Sequence, residues 1–293
     1  MRPQARGPTL VVYVFSGTDP EYADNLRFFI DEAVKADDGC EYIIVLQQGA
    51  RSAQPDPLPP LPPNARYLPH PNKCYDLGTV GWVLDQQASL SSFAYVVWLN
   101  SSARGPFLPA YLRGRMHWTE PLLSKLTDSV KLVGAAINCG GAWGKDSHDA
   151  TAHVQSYLVA TDAVGLGVLR GSGSVLRCID DKFGTVLTSE IGASTVILEA
   201  GYNIDSLMMR YQGVDWRDVT ARQLRCNGAY DPVAHTGWNA GINVDPLEVM
   251  FVKIKGYQRA AGWPHVQTAI KFAEWMRLQP GSPEWLPAVA AGP

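Results

Sequence analysis

The chain has 293 residues and a mass of 32.0 kDa, room for one large α/β domain or two small ones. It is 46% hydrophobic, 18% charged and 10% aromatic, a balance that excludes a disordered or fibrous protein. Twenty-five basic and 28 acidic residues give a net charge of −3 without a basic block, which argues against nucleic acid as a partner. No apolar run approaches the roughly 18 residues of a membrane span. The N-terminus enters a strand-like run with no signal-peptide core, so a cytoplasmic location is expected. Cys40, Cys74, Cys139, Cys178 and Cys226 are odd in number, widely spaced and free of Cys-x-x-Cys. They read as reduced, mostly buried thiols rather than a disulfide framework or a zinc site. Most of the nine tryptophans belong to a core, though flat rings also suit the C–H faces of sugars.

Thr9 to Phe15 is a continuous apolar run before Ser16-Gly17, the pattern of a strand buried on both faces. Residues 20–36 read as a helix capped by Asp19, with Leu26, Phe29, Ile30, Ala33 and Val34 on one face. Tyr42–Leu46 is a second buried strand. Residues 51–64 hold six prolines and read as an exposed surface insertion rather than a domain boundary. Ala65–Leu68 is a short strand, Asp76 caps a helix running to about Ser89, and Phe93–Leu99 is a strong strand ending in Asn100-Ser101-Ser102. A helix over 120–127, a strand over 131–137 and a strand over 153–160 follow. Glu190–Ala200 is a helix stopped by Gly201, and Asn203–Met209 is a strand. Val249–Lys255 is a late strand or helix start, and Val266–Leu278 is a terminal helix. The Pro-, Ala- and Gly-rich tail over 280–293 is expected to fray. The alternation specifies an α/β fold with a mostly parallel central sheet and a Rossmann-like N-terminal half, one domain over 1–279.

Several signatures are missing. The first βα turn lacks the dinucleotide fingerprint, and Gly165–Gly171 has the wrong spacing for it and reads as a loop. There is no Walker A loop and no Gly-x-Ser-x-Gly elbow. His148 and His153 with Asp146 and Asp149 invite a metal reading, but a polar turn before a strand explains them better.

From Asn72 onward the motifs form a series: Tyr75-Asp76-Leu77-Gly78, then a strand ending Leu99-Asn100-Ser101-Ser102 with Gly105-Pro106, then His153-Val154-Gln155-Ser156-Tyr157, then Glu190 before a helix. Their order and spacing over roughly residues 72–255 resemble the rhamnan synthesis protein F family and its plant and algal relatives. The resemblance implies a GT-A-like glycosyltransferase moving a sugar from a nucleotide-sugar donor to a glycan or polysaccharide acceptor. It also leaves open a Golgi lumen location, if an anchor lies outside this chain.

Such a reaction needs a grip on the diphosphate, stabilisation of the leaving group and, for inversion, a base for the acceptor hydroxyl. Many GT-A enzymes hold Mn²⁺ or Mg²⁺ with an Asp-x-Asp at a strand end, but none occurs in this chain. Where the family has Asn-Asp-Ser this chain has Asn100-Ser101-Ser102, so either metal is dispensable or Asp76 and Asp245 contribute. The donor-binding expectation rests on Tyr75, Asp76, Gly78, Asn100, Ser101, Ser102, Arg104 as a bidentate phosphate partner, and Lys253. Asp76 can equally be a plain N-cap, Arg104 a solvated loop residue and Lys253 an exposed lysine. Glu190 is the expected general base, its pKa raised by one buried wall; the alternative is a helix-start glutamate favoured by the macrodipole. His153 and Gln155, on one face of a strand, and Asp245 are expected at the acceptor cleft. A non-catalytic carbohydrate- or nucleotide-sugar-binding degenerate transferase is the competing class. A methyltransferase-like nucleotide-binding enzyme is disfavoured by the absent glycine loop.

Overall fold

The computed structural model describes residues 3–49, 53–140, 152–226, 231–238 and 241–279. The four apolar runs of the first hundred residues become β1 (Thr9–Ser16), β2 (Cys40–Gln48), β3 (Ala65–Pro71) and β4 (Tyr95–Asn100). They pair in parallel in the order β3-β2-β1-β4, the arrangement of a Rossmann-like half. β1 is buried along all but its last residue, as a central strand covered on both faces must be. α1 (Tyr22–Ala33) joins β1 to β2, and α2 (Tyr75–Asp85) joins β3 to β4. The two crossovers run in opposite directions along the sheet, so right-handedness puts the helices on opposite faces. On the α1 side, Phe29 meets Tyr13 at 5.0 Å between ring centroids and Trp118 edge-on at 5.7 Å.

The remaining strands in chain order are β5 (Ala103–Arg104), β6 (Val130–Gly134), β7 (Ile137–Asn138), β8 (His153–Val154), β9 (Leu158–Asp162), β10 (Asn203–Ser206) and β11 (Val252–Lys253). β9 lies antiparallel between β4 and β6, and β10 runs parallel to β6. The result is a seven-stranded, mostly parallel sheet, as the α/β alternation specifies. Two antiparallel ribbons, β5 with β11 and β7 with β8, lie outside it.

Several expectations are corrected. The strands expected over 131–137 and 153–160 are each cut in two, because β7 and β8 leave the sheet to pair with each other. The helix expected over 120–127 is the single turn α3 (Glu120–Leu123). The glycines of 165–171 lie in α4 (Ala163–Gly171), not in a loop, since Asp162 caps it by accepting from Gly165 N at 2.8 Å. The described part of the proline-rich stretch, 53–64, is more than a surface insertion. Ala53 N donates to Gly17 O at 3.1 Å, and a Cβ on Gly17 would come within 1.7 Å of Ala53 O, so only glycine fits the first βα turn. The segment over 280–293, with His148, Asp146 and Asp149, lies outside the described residues.

The cysteine expectation is overturned. Cys74 bonds Cys178 and Cys139 bonds Cys226, across separations of 104 and 87 residues. Spacing hides such pairs because tertiary contacts bring the sulfurs together. Cys40 alone is free and buried, its thiol pushed up to about 12 by burial and then by Asp38. Among the described residues no helix is long and apolar enough to cross a membrane.

Candidate functional site

A cleft of about 630 Å³ opens beyond the C-terminal ends of β1, β2 and β4. Connections leave β1 and β4 in different directions there, which is where an open α/β sheet forms a crevice. The strand ends contribute Ser16, Gln47 and Asn100. A larger hollow of about 780 Å³ lies beside the C-terminal end of α1, toward the opposite edge of the sheet. Four of the polar groups lining it are engaged with one another, Arg113 with Glu32 at 2.7 Å and His117 with Asp38 at 3.2 Å. The strand-end cleft is therefore the candidate site.

Its floor is a hydrogen-bonded network around two carboxylates. Asp76 Oδ2 accepts from Asn100 Nδ2 at 2.7 Å and from Ser156 Oγ at 3.3 Å. Glu190 Oε1 accepts from Ser156 N at 3.0 Å. Ser156 thus holds both acids, one through its hydroxyl and one through its backbone. Asn100 Oδ1 accepts from Ser102 N at 3.1 Å and from Ser102 Oγ at 2.6 Å. That orients the Asn100 amide so that its nitrogen faces Asp76. Burial is the main cause that raises the Asp76 carboxyl above its usual range, and the charge of Glu190 adds to it against the Asn100 hydrogen bond.

Asp76 is not the N-cap. Cys74 holds that position in a left-handed conformation, and its side chain makes no cap hydrogen bond. Asp76 sits one residue inside α2, and its carboxylate points into the cleft beside Tyr75. Glu190 is not at a helix start either. It lies in a π-helical stretch, Thr185–Ile191, that runs straight into the α-helix Gly192–Glu199. The wider π turn shifts side-chain directions relative to an α-helix, a distortion frequent at functional sites. Thr185, Val186 and Glu190 all line the cleft from it.

Other expected residues sort clearly. Ser101, Ser102 and Lys253 line the cleft with Asn100 and Tyr75. Gly78 does not; with Gly81 it lets α2 press on the 176–178 segment, where a Cβ would come within 3.0 Å of Arg177 O and 2.0 Å of Leu176 O. Arg104 is buried: its Nε donates to Asn25 Oδ1 at 2.8 Å and its Nη2 lies 3.5 Å from Glu21 Oε2, so it holds the fold rather than a phosphate. His153 is buried in the β7/β8 ribbon, and Gln155 donates to Asp231 Oδ1 at 2.9 Å; neither lines the cleft. Asp245 caps the turn Pro246–Val249 by accepting from Leu247 N at 2.8 Å, away from the cleft. No tryptophan among the described residues lines the cleft, whose aromatic rings are Tyr22 and Tyr75.

Four charged lining residues were missed by sequence reasoning, Lys73, Asp180, Lys182 and Lys255, and so was Ser156, which holds both acids. Asp180 accepts from Cys74 N at 2.8 Å beside the Cys74–Cys178 bond. That disulfide brings the 178–182 segment to the cleft, and its partners lie too far apart in sequence to signal it. Lys255 carried a usable signal, because it stands two residues after Lys253 and extended residues two apart share a face.

The donor set does not suit a divalent cation. Groups of three potential ligands among the described residues are Asp38–Cys40–His117 and Cys74–Cys178–Asp180. The sulfurs of the second are consumed in a disulfide. In the first, Asp38 Oδ2 already accepts from Tyr42 Oη at 2.6 Å, and it lies outside the cleft. Of the cleft's three carboxylates, Asp76 accepts from Leu77 N, Asn100 and Ser156, Asp180 accepts from Cys74 N and Glu190 accepts from Ser156 N through one oxygen, and lysines stand nearby.

No protein-family model and no curated protein matches the chain. Among solved structures it is similar to the mannosyltransferase PcManGT from Pyrobaculum calidifontis in complex with GDP-Man and Mn²⁺, at 14% identity and a TM-score of 0.43, over 100% of this chain and 81% of that chain.

Proposed function

We propose that the protein is a nucleotide-sugar-dependent glycosyltransferase of GT-A type whose donor lies in the cleft beyond β1 and β4. One observation carries this reading: Ser156 holds Glu190 and Asp76 together on the floor of a strand-end crevice whose other wall is basic. In the reaction the acceptor hydroxyl attacks the anomeric carbon and the bond from that carbon to the diphosphate breaks. Glu190, with one oxygen fixed by the Ser156 amide, takes the hydroxyl proton as general base. Asp76 and Asn100 hold the other face of the site. The resemblance to rhamnan synthesis protein F makes a glycan or polysaccharide the acceptor in this reading. The two disulfides fit an oxidising compartment better than the reduced cytoplasm, so the lumenal alternative is the one proposed.

A second reading has its own observation. Both Asp76 oxygens are engaged, Oδ1 by Leu77 N at 3.0 Å and Oδ2 by Asn100 and Ser156, and the strand end carries Ser101 where the resembled family has an acid. A degenerate transferase would bind donors in the same cleft without turning them over. The test is a panel of UDP-, GDP- and dTDP-sugars incubated with the protein, with nucleoside diphosphate release and donor binding both followed. Release above the spontaneous rate supports the transferase, binding without release supports the degenerate form, and neither defeats both.

A further inference from the structure

We propose that Lys253 and Lys255, with Lys182 opposite them and Lys73 at the rim, form a cradle for the diphosphate of a nucleotide ligand that does the electrostatic work of a divalent cation. The assignment rests on the transferase reading for the nucleoside part of the ligand, but not for the anion.

The ribbon of β5 and β11 builds the cradle. Its register places Val252 opposite Arg104 and Lys253 opposite Ala103. Residues directly opposite share a face and neighbours alternate, so Arg104 goes to the face packed on α1 and Lys253 to the other, over the cleft. Lys255 is extended, which returns its side chain to the cleft side about 6.6 Å along the chain from Lys253. That spacing lets two ammonium groups each take one phosphate of a diphosphate. Lys182 enters from the disulfide-tethered segment as the first residue after the helical cap Asp181.

The cations are held, not left to wander. Lys253 Nζ sits 5.2 Å above the ring of buried Tyr157. Neither Lys253 nor Lys255 is in a salt bridge with a described residue. Burial first, and then the like charges of Lys253 and Lys182, push the Lys255 ammonium below its ordinary range, with Asp19 and Asp231 opposing. Half-desolvated ammonium groups crowded together cost free energy in the empty cleft, and a polyanion removes that cost. A dication at the same place would add to the repulsion. Lysine binds phosphate as a compact point charge, so the cradle does not depend on the bidentate geometry an arginine would need. The hydroxyls of Ser16, Thr18 and Ser101 line the same space.

The test is calorimetry on the full chain with UDP, GDP, dTDP and inorganic pyrophosphate, in EDTA and again in Mn²⁺, for the wild type, Lys253→Met, Lys255→Met and Lys253→Arg. The cradle predicts binding in EDTA, a loss of at least about ten-fold in each methionine variant, the usual worth of a charge-assisted contact, and retention of binding in Lys253→Arg. Nucleoside diphosphate binding seen only with Mn²⁺ overturns the cradle and leaves the transferase reading standing. Wild-type affinity in both methionine variants overturns the cradle as well. Pyrophosphate bound in EDTA and lost in the variants, with no nucleoside diphosphate bound more tightly, upholds the cradle and overturns the transferase reading.

Discussion

Arg104 and Lys253 lie on neighbouring strands of one short ribbon, yet they do opposite things. Arg104 is buried against α1, bonded to Asn25 and paired with Glu21, which Arg259 also holds at 2.9 Å. Lys253 faces the cleft above the Tyr157 ring and is in no salt bridge with a described residue. The pleat alone separates them, since successive side chains point to opposite faces. A cation whose partners are already present stabilises the fold. A cation placed in a crevice without them is free to meet a ligand.

Four experiments press on that contrast, from the largest expected effect to the smallest. Glu190→Gln keeps the shape of the cleft floor and removes the proton acceptor, so turnover should fall by about 10²–10⁴-fold with donor affinity nearly unchanged. Steady-state rates beside donor titration decide it, and near-normal turnover would make Glu190 only the holder of the Ser156 amide. Cys178→Ser opens the tether between α2 and the Lys182 segment. Chain entropy for a loop of this length predicts a loss of about 4.7 kcal/mol by denaturant unfolding, and diphosphate affinity should fall with it. Arg104→Met takes one partner from buried Glu21, a change that costs about 3 kcal/mol when a buried pair is broken. Because Arg259 still reaches Glu21, the measured loss should come below that figure. Diphosphate binding by the folded variant should stay unchanged, and a selective loss of binding would put Arg104 in the site after all.

The smallest effect concerns pH. Lys255 has a folded-state pKa below its ordinary 10.5. The unfolded chain therefore binds the proton more tightly, and stability rises with pH between the folded pKa and 10.5. The penalty is complete below that window and vanishes above it. Lys255→Met should raise the Tm of the ligand-free protein at neutral pH by a small amount, with the gap to wild type closing as pH approaches 10.5. A gap that stays constant across that range would mean that methionine packs better and that charge crowding is not the cause.

The periodicity of the first hundred residues determined a great deal. Unbroken apolar runs such as Thr9–Phe15 suit a strand covered on both faces, and the helix between two such strands admits a right-handed parallel crossover. From these follow a mostly parallel sheet and a crevice at its strand ends, whereas the β3-β2-β1-β4 order emerges only in the structure and Asn100, Ser101, Ser102, Asp76 and Tyr75 were expected there from the family resemblance. Glu190 and Lys253 were also legible as cleft residues. Tertiary structure decided the rest, because the deciding contacts cross long stretches of chain. A π turn aims Glu190, a disulfide over 104 residues delivers Lys182, and the partner Asn25 draws Arg104 out of the site. His153 and Gln155 alternate as a cleft strand would, yet β8 pairs with β7 and buries them. Local pattern specifies which face a residue takes within its own element. What that face meets is set by partners that no local window contains.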